Sequence, residues 1–451
     1  MDSARTHDFD RFAALIESGD FESLDALLEP LHPADVAEIV EHLEPPSQVA
    51  LIKRLDTETA AEVLAVVDEH SGQALLLLLS DREIVDLIEE MHSDDATDVL
   101  QTLPPEKTER VEALLEPPDR EELRELQAFD EESAGGIMEV ELASVADGAT
   151  IGDAIESLRQ NAEEIENVQK IYVVDGVGAL TGEFTVLDLL RHAASTPVRD
   201  IMETNVIAVP VDMDQEAVAN LFGKYDEFTL PVVDADNRLV GRITVDDIID
   251  VIEEEASEDI ARIAGTTEDE IGEHSVFKIS RSRLPWLINS LIGQLIAAVI
   301  MSQYEASLQQ LVVLTFFVPL IVGTAGSIGI QAAVVVVREL ALGEIDVLRT
   351  GRRVVRELQV AALNGIVLGA ILFIAVVAWR RDTGLGVLLI GSLMLVIFVA
   401  AFIGASVPLL FQRWRIDPAI ATGPFITVCN DVIGLAIYLS LASVYFARTQ
   451  V

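Results

Sequence analysis

Residues 427–442 read TVCNDVIGLAIYLSLA and place Asp431 within an apolar run. A carboxylate at mid-membrane costs roughly 2.5–3.5 kcal/mol on insertion scales. Three readings compete: Asp431 lines a water-filled path for a cation, it pairs with a buried base, or the run is the core helix of a soluble protein and the cost never arises. The neighbouring sequence removes the third. Apolar runs at about 284–303, 310–337, 358–379, 386–411 and 421–446 are each long enough to cross about 30 Å of hydrocarbon, and a soluble core helix would not recur five times at this length. The C-terminal part is therefore expected to be an all-α polytopic membrane domain of five transmembrane helices.

Among the polar residues of those runs Asn289, Gln294, Ser327, Gln331, Asn364, Asn430 and Asp431 stand out, and there is no lysine or arginine. A buried ion pair is set aside on that ground, leaving a solvated cation path. A carboxylate without thiol or imidazole companions suits a hard cation, magnesium above all, which dehydrates reluctantly and is held through its waters; a sodium or proton relay fits the same chemistry. Pro319, Gly323, Gly326 and Gly329 crowd the second run, and Gly423, Pro424 and Gly434 the fifth. Small residues there permit close helix approach beside a cavity, or serve packing alone.

Charge divides the chain. Its 451 residues hold 76 acids against 30 lysines and arginines, yet from Trp286 onward eight acids face ten arginines. The part before Trp286 thus carries about −48 and the remainder about +2. Such acidity excludes nucleic acid as a partner, since phosphates are repelled. Arginine far outnumbers lysine, so the acids also read as the solvated surface of a salt-adapted protein. Cys429 is the single cysteine, which excludes an intrachain disulfide, and the seven histidines do not cluster at ligand spacing in sequence, against a zinc or iron enzyme. Residues 1–30 are polar and acidic, without the apolar stretch of a signal peptide.

The first part repeats. Leu31, Leu43, Leu55, Val67, Leu79, Met91, Leu103 and Leu115 fall twelve residues apart, each leading into a helix-start signal such as His32-Pro33, Asp56, Ser80-Asp81 or Pro104-Pro105. Caps and first-turn prolines before an apolar stripe give helices of about ten residues. One helix per twelve residues predicts a superhelical α-helical domain, a plain bundle being the alternative. From residue 130 to 260 β-branched runs alternate with helical ones: IYVVD (171–175) and TVLDLLRHA (185–193), then NVIAVPVD (205–212), a helix over 215–226, and LPVVDADNRLVGRITVDD (230–247). This α/β layout occurs twice. GGIME (135–139) answers RDIME (199–203), IYVVD answers LPVVD, and GEFTVLDLL (182–190) answers GRITVDDII (241–249). The doubled pattern resembles a tandem pair of cystathionine-β-synthase (CBS) domains, which implies regulation and binding of adenine nucleotides or ions rather than catalysis.

With those domains in the cytosol, the inside flanks hold Arg281, Arg283, Arg338, Arg349, Arg352, Arg353, Arg356, Arg413 and Arg415, against Arg380, Arg381 and Arg448 outside. The excess predicts a cytoplasmic N-terminus and an extracellular C-terminus in a multi-pass protein of the cell membrane.

RLPWLINSLIG (283–293), VRELALGEI (337–345), LNGIVLG (363–369), VPLLFQRWRIDPAIATGP (407–424) and NDVIGLAIYLSLA (430–442), together with KYDEFTLPVVD (224–234) and TVDDIIDVIEEEASEDIARIAG (244–265), resemble in order and spacing the MgtE family of magnesium transporters over nearly the whole chain. The resemblance implies a helical N domain over 1–128, a CBS pair over 129–252, an acidic linking, plug-type helix over 253–280 and a membrane pore domain over 281–451. It also implies a homodimer embedded in lipid, with hydrated magnesium passing Asp431, Asn430 beside it, and Asp417 near the cytosolic mouth. Cytosolic magnesium would close the gate through Asp94, Asp98, Glu216, Asp226, Asp247, Asp250, Glu255, Glu258 and Asp259, since divalent ions bridging like charges reverse their repulsion. ATP would bind the CBS domains, with Asp188 at the ribose-contacting position; Leu187 stands where a basic residue often precedes it. The second run departs from the family's GGNAGNQ-like stretch, reading Ala325, Gly326, Ser327, Ile328, Gly329, Ile330, Gln331, and Asn430 stands where threonine is common, which bears on ion selectivity. The rival readings are a transporter or exporter of another divalent cation such as cobalt or nickel, and a CBS-domain membrane sensor that does not conduct. No enzymatic constellation of nucleophile and base is visible.

Overall fold

The computed structural model describes residues 2–161, 165, 167–267, 270, 275–310, 312–342 and 350–449. It divides into two compact units, Met1–Ile252 and Glu253–Val451.

In the first unit, α1 (Asp2–Ser18) and α2 (Phe21–Leu28) precede eight short helices: α3 (Pro33–Glu41), α4 (Pro45–Ile52), α5 (Thr57–Val66), α6 (Glu69–Leu78), α7 (Asp81–Ile88), α8 (Ser93–Thr102), α9 (Pro105–Glu112) and α10 (Pro117–Leu126). Successive members of the eight begin twelve residues apart, as the leucine period predicts. Proline opens α3, α4, α9 and α10, where its missing N–H costs nothing, while Asp56, Asp68 and Ser80 accept hydrogen bonds from the first turns of α5, α6 and α7. The periodic Leu43, Val67, Leu79, Leu103 and Leu115 are buried where one helix gives way to the next. Lys107, itself buried, donates to the carbonyls of Leu76 and Leu79 at 2.6 and 2.7 Å and so satisfies the end of α6.

Two like sheets follow. β1 (Ser144–Ala146), β2 (Lys170–Val174) and β3 (Leu180–Thr185) form one, and β4 (Val209–Pro210), β5 (Thr229–Val233) and β6 (Leu239–Thr244) the other. In each the first pair is parallel, bridged by a crossover helix, α11 (Ile151–Gln160) or α13 (Gln215–Tyr225), and the second pair is an antiparallel hairpin. The hairpins share an irregularity at Val173/Val174 and Val232/Val233, which marks the duplication at the level of register. α12 (Val186–Arg191) and α14 (Val245–Ala264) close the two halves, and the division between the units falls within α14.

The halves exchange their leading segments. Glu139 and Arg242 exchange backbone hydrogen bonds at 2.9 Å, so GGIME borders the second sheet; Glu183 and Glu203 do the same at 2.9 and 2.8 Å, so RDIME borders the first. Glycine is needed opposite each: a Cβ at Gly241 would lie 2.7 Å from Met138 Sδ, and one at Gly182 would lie 2.7 Å from Met202 Sδ. The internal pairing of motifs read in the sequence is therefore correct in kind and crossed in space.

The second unit carries five helices long and apolar enough to cross a membrane: α15 (Val276–Gln303), α17 (Val318–Ala341), α18 (Thr350–Arg380), α19 (Thr383–Arg413) and α20 (Gly423–Thr449), with the short α16 (Glu305–Gln310) after α15. Each contains or overlaps one of the expected runs. The second run opens as a 3₁₀ segment, Val312–Phe317, whose Leu314 carbonyl accepts from buried Tyr438 at 2.9 Å. α19 is the centre of the unit, burying Leu389, Leu393, Val396, Ile397 and Ala401 among its neighbours. α15 lies outermost: Leu287, Leu291, Leu295 and Val299, four residues apart, are exposed, while Gly293 and Ala297 face inward. Gly343, Glu344 and Ile345 of the VRELALGEI motif, and Arg349, lie outside the described residues.

Candidate functional site

Asp431 sits in the first half of α20, half-buried, and its Oδ2 accepts a hydrogen bond from Gln294 Nε2 of α15 at 2.6 Å. The partner is a neutral amide and does not cancel a carboxylate's charge. Gln294 was legible only as one polar residue among several in the runs; its pairing required the packing of α15 on α20. Asn430 turns elsewhere, as adjacent helical residues do, about 100° apart. It is 2% exposed, lies against Gly329 of α17, and neither end of its amide has a hydrogen-bond partner among the described residues. A Cβ at Gly329 would overlap the Asn430 amide nitrogen, and a Cβ at Gly404 of α19 would overlap the Gly329 carbonyl. Three helices thus converge where glycine leaves room. Ser327 is on the exposed side of α17 and returns its hydroxyl to the Gly323 carbonyl at 3.0 Å.

Asp417 caps the turn Pro418–Ala421 through the Ala419 N–H at 2.7 Å, and its other oxygen is bound by Arg262 of α14. The same guanidinium pairs with Glu258 one helical turn earlier. Burial, then Asp417, then Glu255 push Asp259 up to about 6, against the pull of Arg262. The acids of the linking helix and Asp417 are therefore gathered around one arginine, which the sequence reading did not single out.

A second acidic group lies wholly in the first unit. The opening turn of α8 presents Asp94 and Asp95, and the start of α14 presents Asp247 and Asp250. Burial, then Asp95, Asp247 and Glu139, raise Asp94 well above the carboxylate range. Burial and then Asp247 raise Asp95 to about 6, with Asp250 and Asp246 adding to it. Asp247 is raised by burial although Thr244 donates to it from backbone and hydroxyl at 3.1 and 2.6 Å. Half-buried carboxylates repelling one another fit a divalent cation, which would supply the missing counter-charge. Asp95, not singled out in the sequence, belongs with them. Asp98 sits a turn further along α8, where Thr102 Oγ1 donates to its carbonyl at 2.9 Å. Glu216 is in the first turn of α13 and Asp226 caps its far end in the left-handed conformation, φ 55°. Those two stand about 15 Å apart along one helix and cannot share an ion within a chain.

Asp188 holds the place in the first half that Asp247 holds in the second. It accepts from the Thr185 N–H and hydroxyl at 3.0 and 2.6 Å, which holds its carboxyl below the usual range, and Arg191 lies 3.6 Å away. Histidine, dispersed in the sequence, meets two carboxylates in space at one point among the described residues: His92, Glu139 and Glu141 present ligand atoms within 4.8 Å of one another.

Residues 31–132 match the MgtE intracellular N domain, residues 134–195 and 198–254 match CBS domains, and residues 318–441 match MgtE, described as a divalent cation transporter. The chain is 37% identical over 355 residues to the magnesium transporter MgtE of Thermus thermophilus, spanning 77% of this chain and 78% of that protein. It is 36% identical over 324 residues to the magnesium transporter MgtE of Enterococcus faecalis, spanning 72% and 71%. Among solved structures, the cytosolic domain of the Mg2+ channel MgtE in complex with ATP shares 35% identity, covering 53% of this chain and 98% of that one with a TM-score of 0.51. The soluble part of a magnesium transporter shares 30% identity, covering 56% and 99% at the same TM-score of 0.51. With five membrane-length apolar helices behind a helical N domain and a CBS pair, the chain is a multi-pass membrane protein and belongs to the MgtE family of divalent cation transporters.

Proposed function

We propose that the protein conducts magnesium across the cell membrane and is closed by cytosolic magnesium acting on its acidic N and CBS domains. The observation that carries the reading is Asp431, a half-buried carboxylate in α20 whose partner at 2.6 Å is the neutral Gln294 amide. A hydrated cation passing Asp431 meets a full negative charge and exchangeable oxygen ligands, the chemistry magnesium accepts without shedding all its waters. Asn430, wedged on Gly329, fixes the rotation of α20 and thereby the direction of Asp431. Asp417 stands at the cytosolic mouth, and ions reaching it compete with Arg262.

The regulatory set is Asp94, Asp98, Glu216, Asp226, Asp247, Asp250, Glu255, Glu258 and Asp259, to which we add Asp95. When cytosolic magnesium is low, mutual repulsion favours separation of these acids; when it is high, bridging ions favour the closed arrangement. ATP binds at the CBS pair, where Asp188 meets the ribose. The protein works as a homodimer, the exposed Leu287, Leu291, Leu295 and Val299 of α15 meeting a second copy or lipid. The N-terminus is cytoplasmic and the C-terminus extracellular, with functional domains at 1–128, 129–252, 253–280 and 281–451.

The test is magnesium flux into liposomes containing the purified protein, with cobalt, nickel and sodium compared. Asp431→Ala is expected to abolish flux while the protein remains folded, because its removal relieves an insertion cost. Asp431→Asn, which keeps shape and loses charge, is expected to lose most of it. Normal flux in Asp431→Ala would remove Asp431 from the conduction path, and absence of flux in the parent protein would favour the non-conducting sensor instead.

A further inference from the structure

We propose that His92, Glu139 and Glu141 form a binding site for a borderline divalent transition-metal ion, zinc in the first place, separate in chemistry from the all-carboxylate magnesium sites. The three side chains come from elements that meet only in the fold. His92 occupies the N-cap position of α8 in extended conformation, φ −64° and ψ 155°, yet its imidazole makes no capping hydrogen bond, so its ring nitrogens are not spent on the helix. Glu139 ends GGIME. Its backbone is fixed by the reciprocal hydrogen bonds with Arg242, and its Oε1 lies 2.6 Å from Arg242 Nε. The other oxygen, Oε2, faces His92 Nδ1 at 3.4 Å. Glu141 Oε2 accepts from Ser93 Oγ at 2.8 Å, and Ser93 Oγ in turn accepts from the Val140 N–H at 2.9 Å.

The geometry needs little adjustment. Two ligands at about 2.1 Å from one ion are at most about 4.2 Å apart, and here the donor atoms already lie within 4.8 Å. Glu139 is the observation that points to an ion: its side chain is 5% exposed, with one oxygen against a guanidinium and the other turned to an imidazole. His92, 38% exposed, leaves the site open on one side. The surrounding charge favours a cation, since Asp94 and Asp247 both act on Glu139 or are acted on by it, against the single positive Arg242. One imidazole and two carboxylates suit zinc and its first-row neighbours; magnesium prefers oxygen throughout. The ion would pin the head of α8 to the strand segment of the CBS pair beside the acidic group of Asp94 and Asp247. Its binding does not depend on what the membrane unit conducts.

Purified full-length protein, titrated with zinc chloride in a large excess of magnesium chloride that occupies the all-oxygen sites, tests this by calorimetry or by equilibrium dialysis with metal analysis. One zinc per chain is expected to bind. His92→Gln and Glu141→Gln, both at partly exposed positions, are each expected to weaken binding beyond the about 10–100-fold that loss of an outer-shell partner costs. Their thermal midpoints in magnesium alone are expected to match the parent, which separates ligand loss from misfolding. Zinc is expected to raise the midpoint of the parent and not of the variants. Absence of zinc binding in excess magnesium overturns the proposal, as does unchanged affinity in either variant, which would place the metal elsewhere.

Discussion

At Gly329 a hydrogen in place of a methyl group decides whether α17 and α20 can meet, because the Asn430 amide fills the space a side chain would need. Gly329→Ala is expected to destabilise the detergent-solubilised protein by about 1–3 kcal/mol, the usual cost of overpacking, read as loss of the monodisperse species on heating. Asn430→Ala in the same chain should recover much of that loss, since the two changes share one contact. In the first unit, Arg242→Met leaves Glu139 buried without its guanidinium, which costs about 3–5 kcal/mol in pairs of this kind. Burial already pushes Glu139 up to about 7, so the penalty should be large in urea denaturation at pH 8 and small at pH 5, where the carboxyl is neutral. Much of the candidate site was readable from residue type. Asp431 announced itself by cost, and the acids of α8 and α14 by their motifs. What stayed hidden was partnership: Gln294 with Asp431, Arg262 with Asp417, and Glu139 with Arg242 and His92 are contacts between residues tens to more than a hundred positions apart.

Helices and hairpins were the most legible level, for a physical reason. The twelve-residue period places a cap, a short apolar face and a buried leucine in fixed order, so each helix of the N domain is specified by its own dozen residues. Ser80 shows how much rests on the cap: it accepts from the Glu83 N–H while Glu83 accepts from the Ser80 N–H and hydroxyl, and Lys53 lies 2.6 Å from Glu83. Ser80→Ala is expected to cost about 1 kcal/mol, measurable as a lowered urea midpoint with unchanged slope. The strand expected over 205–212 shrinks to Val209–Pro210, because a proline offers no N–H to continue a ladder. The exchange of GGIME and RDIME between sheets was not legible either. Both segments carry the same signal, and nothing local says which sheet each will border.

Over the whole molecule the balance of charge becomes a dependence on pH. Asp94, Asp95, Asp247 and Glu139 all have folded-state pKa values raised by burial, Asp95 to about 6 and Glu139 to about 7. A raised carboxyl favours the folded state while it is protonated and loses that contribution as pH climbs through its folded value. In chelator, the thermal midpoint of the first unit is therefore expected to fall as pH rises from 5 to 8. Asp95, raised by roughly two units, would contribute on the order of 1–2 kcal/mol to that fall, the rest of its effect lying below pH 5. Magnesium should flatten the profile, because a bridging ion substitutes for the protons. A slope unaffected by magnesium would mean that these acids answer to solvent alone.

The crossed motifs also set an order of events during synthesis. Glu139 leaves the ribosome about a hundred residues before Arg242, the residue whose backbone it must bond. At about 5–20 residues per second that is a wait of roughly 5–20 s. During this interval the first sheet gains its border early, because RDIME follows Glu183 by only about twenty residues, but the GGIME segment has no sheet to join. Release of the second half supplies that sheet, as Arg242 reaches Glu139 about forty residues after RDIME has emerged. The nascent pair thus has a single late commitment, and a pause in translation between the halves would extend the time a helper protein has to act on the open segment.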